Sequence, residues 1–248
     1  MTHVLNFSGS ALVPRSSKCL FNCVDPDKQI QRLRESALFT DLSSPECAEI
    51  LIRARNKTFV RGEVLFFQGD VVDRWIFIQT GRVKLTQVSS YGSEVIVWMN
   101  SSGDAIGVQA DMARSRHTCS ARAVERCQTL VWDGRGIQEV LARCPQVQAN
   151  IAGILHSRLR ELEERFCEVA SESVADRLAF LLRRLCQSVG RQSGCGTELR
   201  LRRQELAQMT GTTLCTVSRI LSKWAELGLV IPNHEGITVK HSVLSNAA

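Results

Sequence analysis

The stretch Arg203-Gln-Glu-Leu-Ala-Gln-Met-Thr-Gly-Thr-Thr-Leu-Cys-Thr-Val-Ser-Arg-Ile-Leu-Ser222 carries the densest set of constraints in this 248-residue chain. Two helices crossing steeply need a small residue at closest approach, a residue free to take positive φ at the turn, and a branched apolar side chain to plug the crossing. Ala207, Gly211 and Val217 supply these in order. Leu206, Ile220 and Leu221 fill the remaining inward positions at helical spacing. The outer face of the second helix is then short and polar: Cys215, Thr216, Ser218, Arg219 and Ser222. A helix with such a face fits the major groove of DNA. Ordinary helical hairpins seldom meet all three constraints together.

Working outward, Gly228-Leu-Val-Ile231, a turn at Asn233-His-Glu-Gly236 and Ile237-Thr-Val239 predict a β-hairpin directly after the second helix. That is the position of a wing, suited to backbone phosphates. Upstream, Val174, Leu178, Leu181, Leu182 and Leu185 mark an amphipathic helix, and 188–197, with three glycines, reads as a loop. Further upstream, Ile151, Leu155, Leu159, Leu162, Phe166 and Val169 recur at spacings of four, four, three, four and three. Charged residues such as Arg158, Glu161 and Arg165 flank them. A narrow seam of this kind suits a helix pairing with its own copy. Packing on the chain's own sheet is the other reading, and different parts of the helix can obey each.

From Lys57 to about Asp133 the period changes to two. Val64-Leu-Phe-Phe67, Trp75-Ile-Phe-Ile78, Val83-Lys-Leu-Thr86, Val95-Ile-Val-Trp98 and Thr129-Leu-Val-Trp132 alternate with glycine turns, which means an antiparallel barrel or roll. Residues 28–55 read as short helices, with Ser43-Ser-Pro-Glu46 as a helix start and Cys47, Ile50 and Leu51 as the apolar stripe.

The chain is 44% hydrophobic and 23% charged, as soluble globular chains are. No apolar run reaches the length of a membrane span, and residues 1–7 lack the basic-then-apolar pattern of a secretory signal. No membrane partner and a cytoplasmic location are therefore expected. Of the net charge of +6, residues 171–248 hold +4, with ten Lys/Arg against six Asp/Glu. The excess is denser where the helix pair lies, as a phosphate-facing domain needs. Ten cysteines occur without any Cys-x-x-Cys. Without a signal peptide they read mostly as reduced thiols, several of them buried as small hydrophobes.

The order of short helices, glycine-punctuated roll, long helix and winged helix resembles the Crp/Fnr family of bacterial transcription regulators. The resemblance covers roughly residues 30–242. It is most specific at Gly62-Glu-Val-Leu-Phe-Phe-Gln-Gly69, Ile78-Gln-Thr-Gly-Arg-Val83, Gly103-Asp-Ala-Ile-Gly107 and from Glu205 through Val230. It implies an α+β fold with an N-terminal antiparallel β-roll sensor domain like those that bind cyclic nucleotides. A long dimerisation helix and a C-terminal winged helix-turn-helix follow. The expected divisions are an N-terminal extension at 1–27, the roll at 28–146, the dimerisation helix at 147–169 and the DNA-binding domain at 170–248. The resemblance also implies a homodimer reading a near-palindromic site on double-stranded DNA, with RNA polymerase as a further partner. Thr213, Cys215, Thr216, Ser218, Arg219 and Lys223 are the expected DNA-binding residues. Ile151, Leu155, Leu159, Leu162 and Phe166 are those expected for dimerisation. Arg219 leads the first set, because a guanidinium can bond a guanine edge in bidentate fashion. Cys215 stands where many members carry a base-reading glutamate, so a different half-site is expected.

The signal sensed is less legible. Cyclic-nucleotide binders of this family carry a glutamate after a cassette glycine and an Arg-Ser or Arg-Thr pair at its end. This chain has Gly107-Val-Gln109 and His117-Thr118 there. Without that arginine a buried phosphate lacks its countercharge, so cyclic AMP is not expected by that route unless Arg114 or Arg116 substitutes. An iron–sulfur cluster would draw on Cys19 and Cys23 with Cys47, Cys119 or Cys127, and a haem on His117 or His156. Free thiols remain the alternative. No nucleophile elbow, glycine-rich phosphate loop or metal-spaced histidine pair occurs, so no enzyme is expected. A pure small-molecule binding module is the remaining class, and the basic second helix argues against it.

Overall fold

The alternation at Trp75–Ile78 has both of its faces buried, and this sets the N-terminal architecture. The computed structural model describes residues 25–90, 92–108, 115–233 and 236–240. Strands β1 (Arg55–Phe59), β2 (Val64–Phe66), β3 (Arg74–Thr80) and β4 (Val83–Val88) are followed by β5 (Glu94–Asn100), β6 (Ala105–Ile106), β7 (Ser120–Ala123) and β8 (Cys127–Asp133). They form two antiparallel sheets, ordered β1-β8-β3-β6 and β2-β7-β4-β5. Ile76 and Ile78 of β3 point between the sheets, into a cluster with Phe59, Leu85, Ile106 and Cys127. Trp75 and Phe77 point the other way, with Leu130 and Trp132, against helices. Side chains on one strand alternate between faces, so a run apolar at every position is a strand covered on both sides. Trp75 lies opposite Trp132, and Phe77 opposite Leu130.

The helices on that outer face are α1 (Pro26–Arg34), α2 (Ser44–Ile52), α3 (Gly134–Arg143) and the start of α4 (Pro145–Ser171). Helix α2 opens as expected: Ser43 Oγ accepts from Glu46 N, and Ser43 N donates to the Glu46 carboxylate at 2.8 Å. Trp132 Nε1 donates to Ile50 O at 2.9 Å, tying β8 to the end of α2.

Helix α4 runs 27 residues, about 40 Å at 1.5 Å per residue. Its first turns belong to the N-terminal core, where Val147 and Ile151 are buried and Asn150 Nδ2 donates to the carbonyls of Leu38 and Thr40. Further along, its charged side packs on β5. The Arg158 and Arg165 guanidinium groups lie 5.7 and 4.7 Å from the Trp98 ring, and Arg158 also donates to Asn100 Oδ1 and Ala105 O.

The C-terminal part holds α5 (Val174–Ser188), β9 (Arg191–Ser193), β10 (Gly196–Leu199), α6 (Arg203–Thr210), α7 (Leu214–Glu226), β11 (Val230–Pro232) and β12 (Ile237–Lys240). One correction falls here. The glycine-bearing segment 188–197 is a strand pair rather than a loop, and with the wing it forms a sheet ordered β11-β12-β10-β9. Gly196 permits close backbone approach: a Cβ there would lie 2.2 Å from Val239 O. Strands β1 and β7 also lacked a sequence signal, because β1 is mostly polar and exposed and β7 is three small residues and an arginine.

Candidate nucleic-acid interface

The helix pair meets each constraint read from its spacing. Ala207, Val217, Leu206 and Leu221 are buried, and Ile220 packs against the same cluster. Gly211 ends α6 at φ +63°, its N–H donating to Ala207 O. A Cβ at Gly211 would meet nothing within 4 Å, so the left-handed backbone alone calls for glycine. Thr213 caps α7, accepting from Thr216 N at 3.2 Å, and the two threonine hydroxyls lie 2.9 Å apart.

Of the expected DNA-binding residues, Thr213, Cys215, Arg219 and Lys223 are exposed, while Thr216 and Ser218 are half-buried. Thr216 is the least available, because its hydroxyl faces the cap. The Arg219 and Lys223 side chains make no ion pair or hydrogen bond among the described residues, so both cations stand open to an anionic partner. Lys223 lies in the last turn of α7, where the negative end of the helix dipole favours a cation. Sequence reasoning passed over Leu214, the first residue of α7, which is 44% exposed. Its signal was an apolar residue at a helix start with no place in the inward set.

A second basic surface lies between the roll and the winged helix. A cleft of about 810 Å³ is lined by seven lysine or arginine side chains against two glutamates. Arg61, Arg82 and Arg122 come from the roll, Arg200 and Arg202 from the segment leading into α6, and Arg203 from its first position. Arg82 donates to Glu125 and, across the gap, to Arg200 O at 3.1 Å. Gln208 of α6 donates to Glu94 of β5 at 2.9 Å. The run Arg200-Leu-Arg-Arg203 was visible in the sequence, but its arginine partners on the roll were not.

The seam on α4 divides. Ile151 is 4% exposed and belongs to the protomer's own core, which corrects its assignment to dimerisation: Leu38, Phe39 and Val147 already cover it. Leu155, Leu159, Leu162, Phe166 and Val169 are all exposed, Phe166 at 75%.

The residues singled out for sensing are dispersed. Cys47 sits in the helical cluster, whereas Cys119 and Cys127 sit between the sheets. Burial raises the pKa of all three thiols and pushes Cys186 up to about 11, which keeps them protonated. No three metal-ligating side chains converge among the described residues, and Cys19, Cys23 and Arg114 lie outside them. His117 is 5% exposed and stacks on Phe66 with ring centroids 3.6 Å apart. Burial lowers its pKa against the opposing pull of Asp70 and Asp73, favouring the neutral ring. Arg116 reaches the Gly69 carbonyl at 2.8 Å. His156 lies exposed on α4.

Comparison with known proteins agrees with this layout. Residues 56–144 match the cyclic nucleotide-binding domain model, and residues 176–241 match the Crp-like helix-turn-helix domain. The chain is 27% identical over 212 residues to the cyclic AMP receptor protein of Thermus thermophilus, covering 86% of this chain and 96% of that protein. It is 28% identical over 191 residues to the global nitrogen regulator of Synechocystis, covering 75% and 85%. The structure of the c-di-GMP responsive global regulator CLP of Xanthomonas campestris superposes with a TM-score of 0.71 at 20% identity, covering 80% and 99%, which speaks to the fold alone. No helix among the described residues is long and apolar enough to cross a membrane. The sensor-type roll, the long helix and the matched helix-turn-helix together place this chain in the Crp/Fnr family of transcriptional regulators, with a winged helix as its DNA-binding domain.

Proposed function

We propose that two copies of this chain pair along the outer half of α4 and present their α7 helices to successive major grooves of a near-palindromic operator. The observation that carries this reading is the stripe Leu155, Leu159, Leu162, Phe166 and Val169, exposed on one helix that leads directly into the winged helix. A contiguous apolar stripe left uncovered by its own chain marks an association surface, and a twofold pairing of like surfaces closes on itself.

On the operator, Arg219 bonds a guanine edge while Ser218, Ser222 and Lys223 line the groove and its backbone. The basic cleft receives phosphates flanking each half-site, so the roll itself touches DNA through Arg61 and Arg122. Arg61, Arg202 and Arg203 show no carboxylate partner among the described residues, which supports this use. The regulating signal is something other than cyclic AMP held by the cassette arginine. The cassette end carries His117, a neutral ring stacked on Phe66, and Arg116 is turned to a backbone carbonyl.

The test combines sedimentation of the purified chain with salt-dependent binding to duplexes enriched from a random pool. A dimer is expected, with affinity falling steeply with salt as phosphate counterions are released. A monomer that enriches no sequence overturns the reading. A visible spectrum of anaerobically purified protein separates a cluster, a haem and a colourless sensor.

A further inference from the structure

We infer that Arg158 and Glu163 of the partner subunit form an ion pair across the α4 seam, each copy completing a charge that the other leaves unpaired. This rests on the dimer reading above and begins from the register of α4. With Leu155, Leu162 and Val169 at d positions and Leu159 and Phe166 at a, Arg158 and Arg165 fall at g and Glu163 at e. In two helices lying parallel, a g side chain meets the e side chain of the following heptad on the other helix. Arg158 therefore faces Glu163 of the partner subunit, whereas Arg165 faces Ala170 of the partner subunit.

The two arginines differ in what their own chain gives them. Both lie over the Trp98 ring of β5. Arg165 also has a carboxylate, its Nη2 donating to Glu161 Oε1 at 2.6 Å one turn earlier on α4. Arg158 has none within ion-pair distance among the described residues. It donates only to neutral oxygens, Asn100 Oδ1 at 3.3 Å and Ala105 O at 3.4 Å, and both bonds use Nη2. Asp104 and Glu161, whose fields reach it, are engaged elsewhere, Asp104 by Ser101 N at 2.7 Å and Glu161 by Arg165. Burial lowers the Arg158 pKa, as it does for a cation that has lost water without gaining a matching anion. Such a charge costs free energy until an opposite one reaches it. Glu163, in turn, is exposed and makes no hydrogen bond or ion pair among the described residues. The missing anion and the spare anion thus occupy the g and e positions that only parallel helices bring together. Because Arg158 is also held to β5 through Trp98 and Asn100, the pair ties the roll of one protomer to α4 of the other.

The experiment mixes two full-length variants of different tag mass, Arg158→Gln and Glu163→Gln, and measures the share of mixed dimers by native mass spectrometry after subunit exchange. Each variant's own dimer has lost both pairs, but the mixed dimer keeps one intact. At about 3-fold per partly exposed pair, mixed dimers should rise from about one half, the statistical share, to about three quarters. A share that stays at the statistical value overturns the inference. Glu163→Gln alone should weaken dimerisation about 10-fold in sedimentation, because two pairs are lost per dimer, while the helix content by circular dichroism is unchanged. Glu164→Gln, one residue on and off the seam, should dimerise as the wild type does. No loss in Glu163→Gln, or an equal loss in Glu164→Gln, overturns the inference whether or not Arg158→Gln folds. A monomeric wild type refutes the dimer reading and this inference together, whereas a wild-type dimer indifferent to Glu163→Gln refutes this inference alone.

Discussion

The roll and the winged helix share a plan, an antiparallel sheet with helices laid against it, yet they dispose of their polar side chains in opposite ways. In the roll, Gln79, Thr86, Asn100, His117 and Thr129 are buried, and the space between the sheets is filled by the chain's own Phe59, Leu85 and Cys127. In the winged helix, the buried polar residues are the threonines 197, 210 and 238, while Arg219 and Lys223 stand outward without partners among the described residues. A surface meant for a polyanion can leave cations solvated at little cost, because water and screening make exposed charge cheap. A buried recognition group has no such freedom. It costs free energy unless it is partnered, and His117 is a ring stacked on Phe66 that burial keeps neutral.

The comparison can be broken most forcefully at the roll's packing. Trp132→Ala should destabilise the chain by about 3–5 kcal/mol, since it removes a buried ring and the bond to Ile50 O. Urea denaturation checks this, and a loss below about 1 kcal/mol would mean that the roll is not tightly filled.

Next comes α4, where the two halves should answer differently. Ile151→Ala should cost about 2–5 kcal/mol of protomer stability and leave association intact. Phe166→Glu should leave the melting curve nearly unchanged and weaken dimerisation by 2 kcal/mol or more, about 30-fold, in sedimentation. If both variants merely destabilise, the outer stripe is ordinary core in solution.

At the winged helix, Arg219→Ala should reduce affinity for the enriched duplex by about 1–3 kcal/mol and relax preference at one base pair per half-site. A uniform loss across all sequences would make it a phosphate contact instead.

The smallest effect is a pH dependence. Burial holds the folded-state pKa of His117 below its ordinary 6.5. Above pH 6.5 the ring is neutral whether the chain is folded or not, and its contribution is fully present. As the pH falls below 6.5 the unfolded chain takes up the proton first, so stability drops until the pH has passed the folded-state value. His117→Phe should flatten that decline in acid-titrated thermal melts, while DNA affinity at pH 7.5 stays unchanged.

How far the molecule could be read in advance follows from how local each constraint is. Ala207, Gly211 and Val217 act within a few residues of one another, so their spacing alone announces the helix pair, and the wing follows from a turn and two short apolar runs. Most roll strands, though not β1 or β7, announce themselves by β-branched and aromatic runs between glycine turns, and the long helix by its repeat of threes and fours. Glycine was the ambiguous letter: at 211 it marks a left-handed turn, but at 196 it admits a neighbouring strand, and only the packing of β12 distinguishes the two. The seam on α4 reads the same at Ile151 as at Phe166. Which end is covered depends on Leu38 and Phe39, more than a hundred residues earlier.

The amino-acid sequence by itself therefore determined the architecture and the reading helix, because steric fit and side-chain periodicity operate over neighbouring residues. Tertiary structure alone decided which apolar stripe faces outward, that Arg61 and Arg122 meet Arg202 and Arg203 across one cleft, and that His117 is sealed against Phe66. Burial and electrostatic fields are sums over groups brought together from distant parts of the chain, and no local spacing records them.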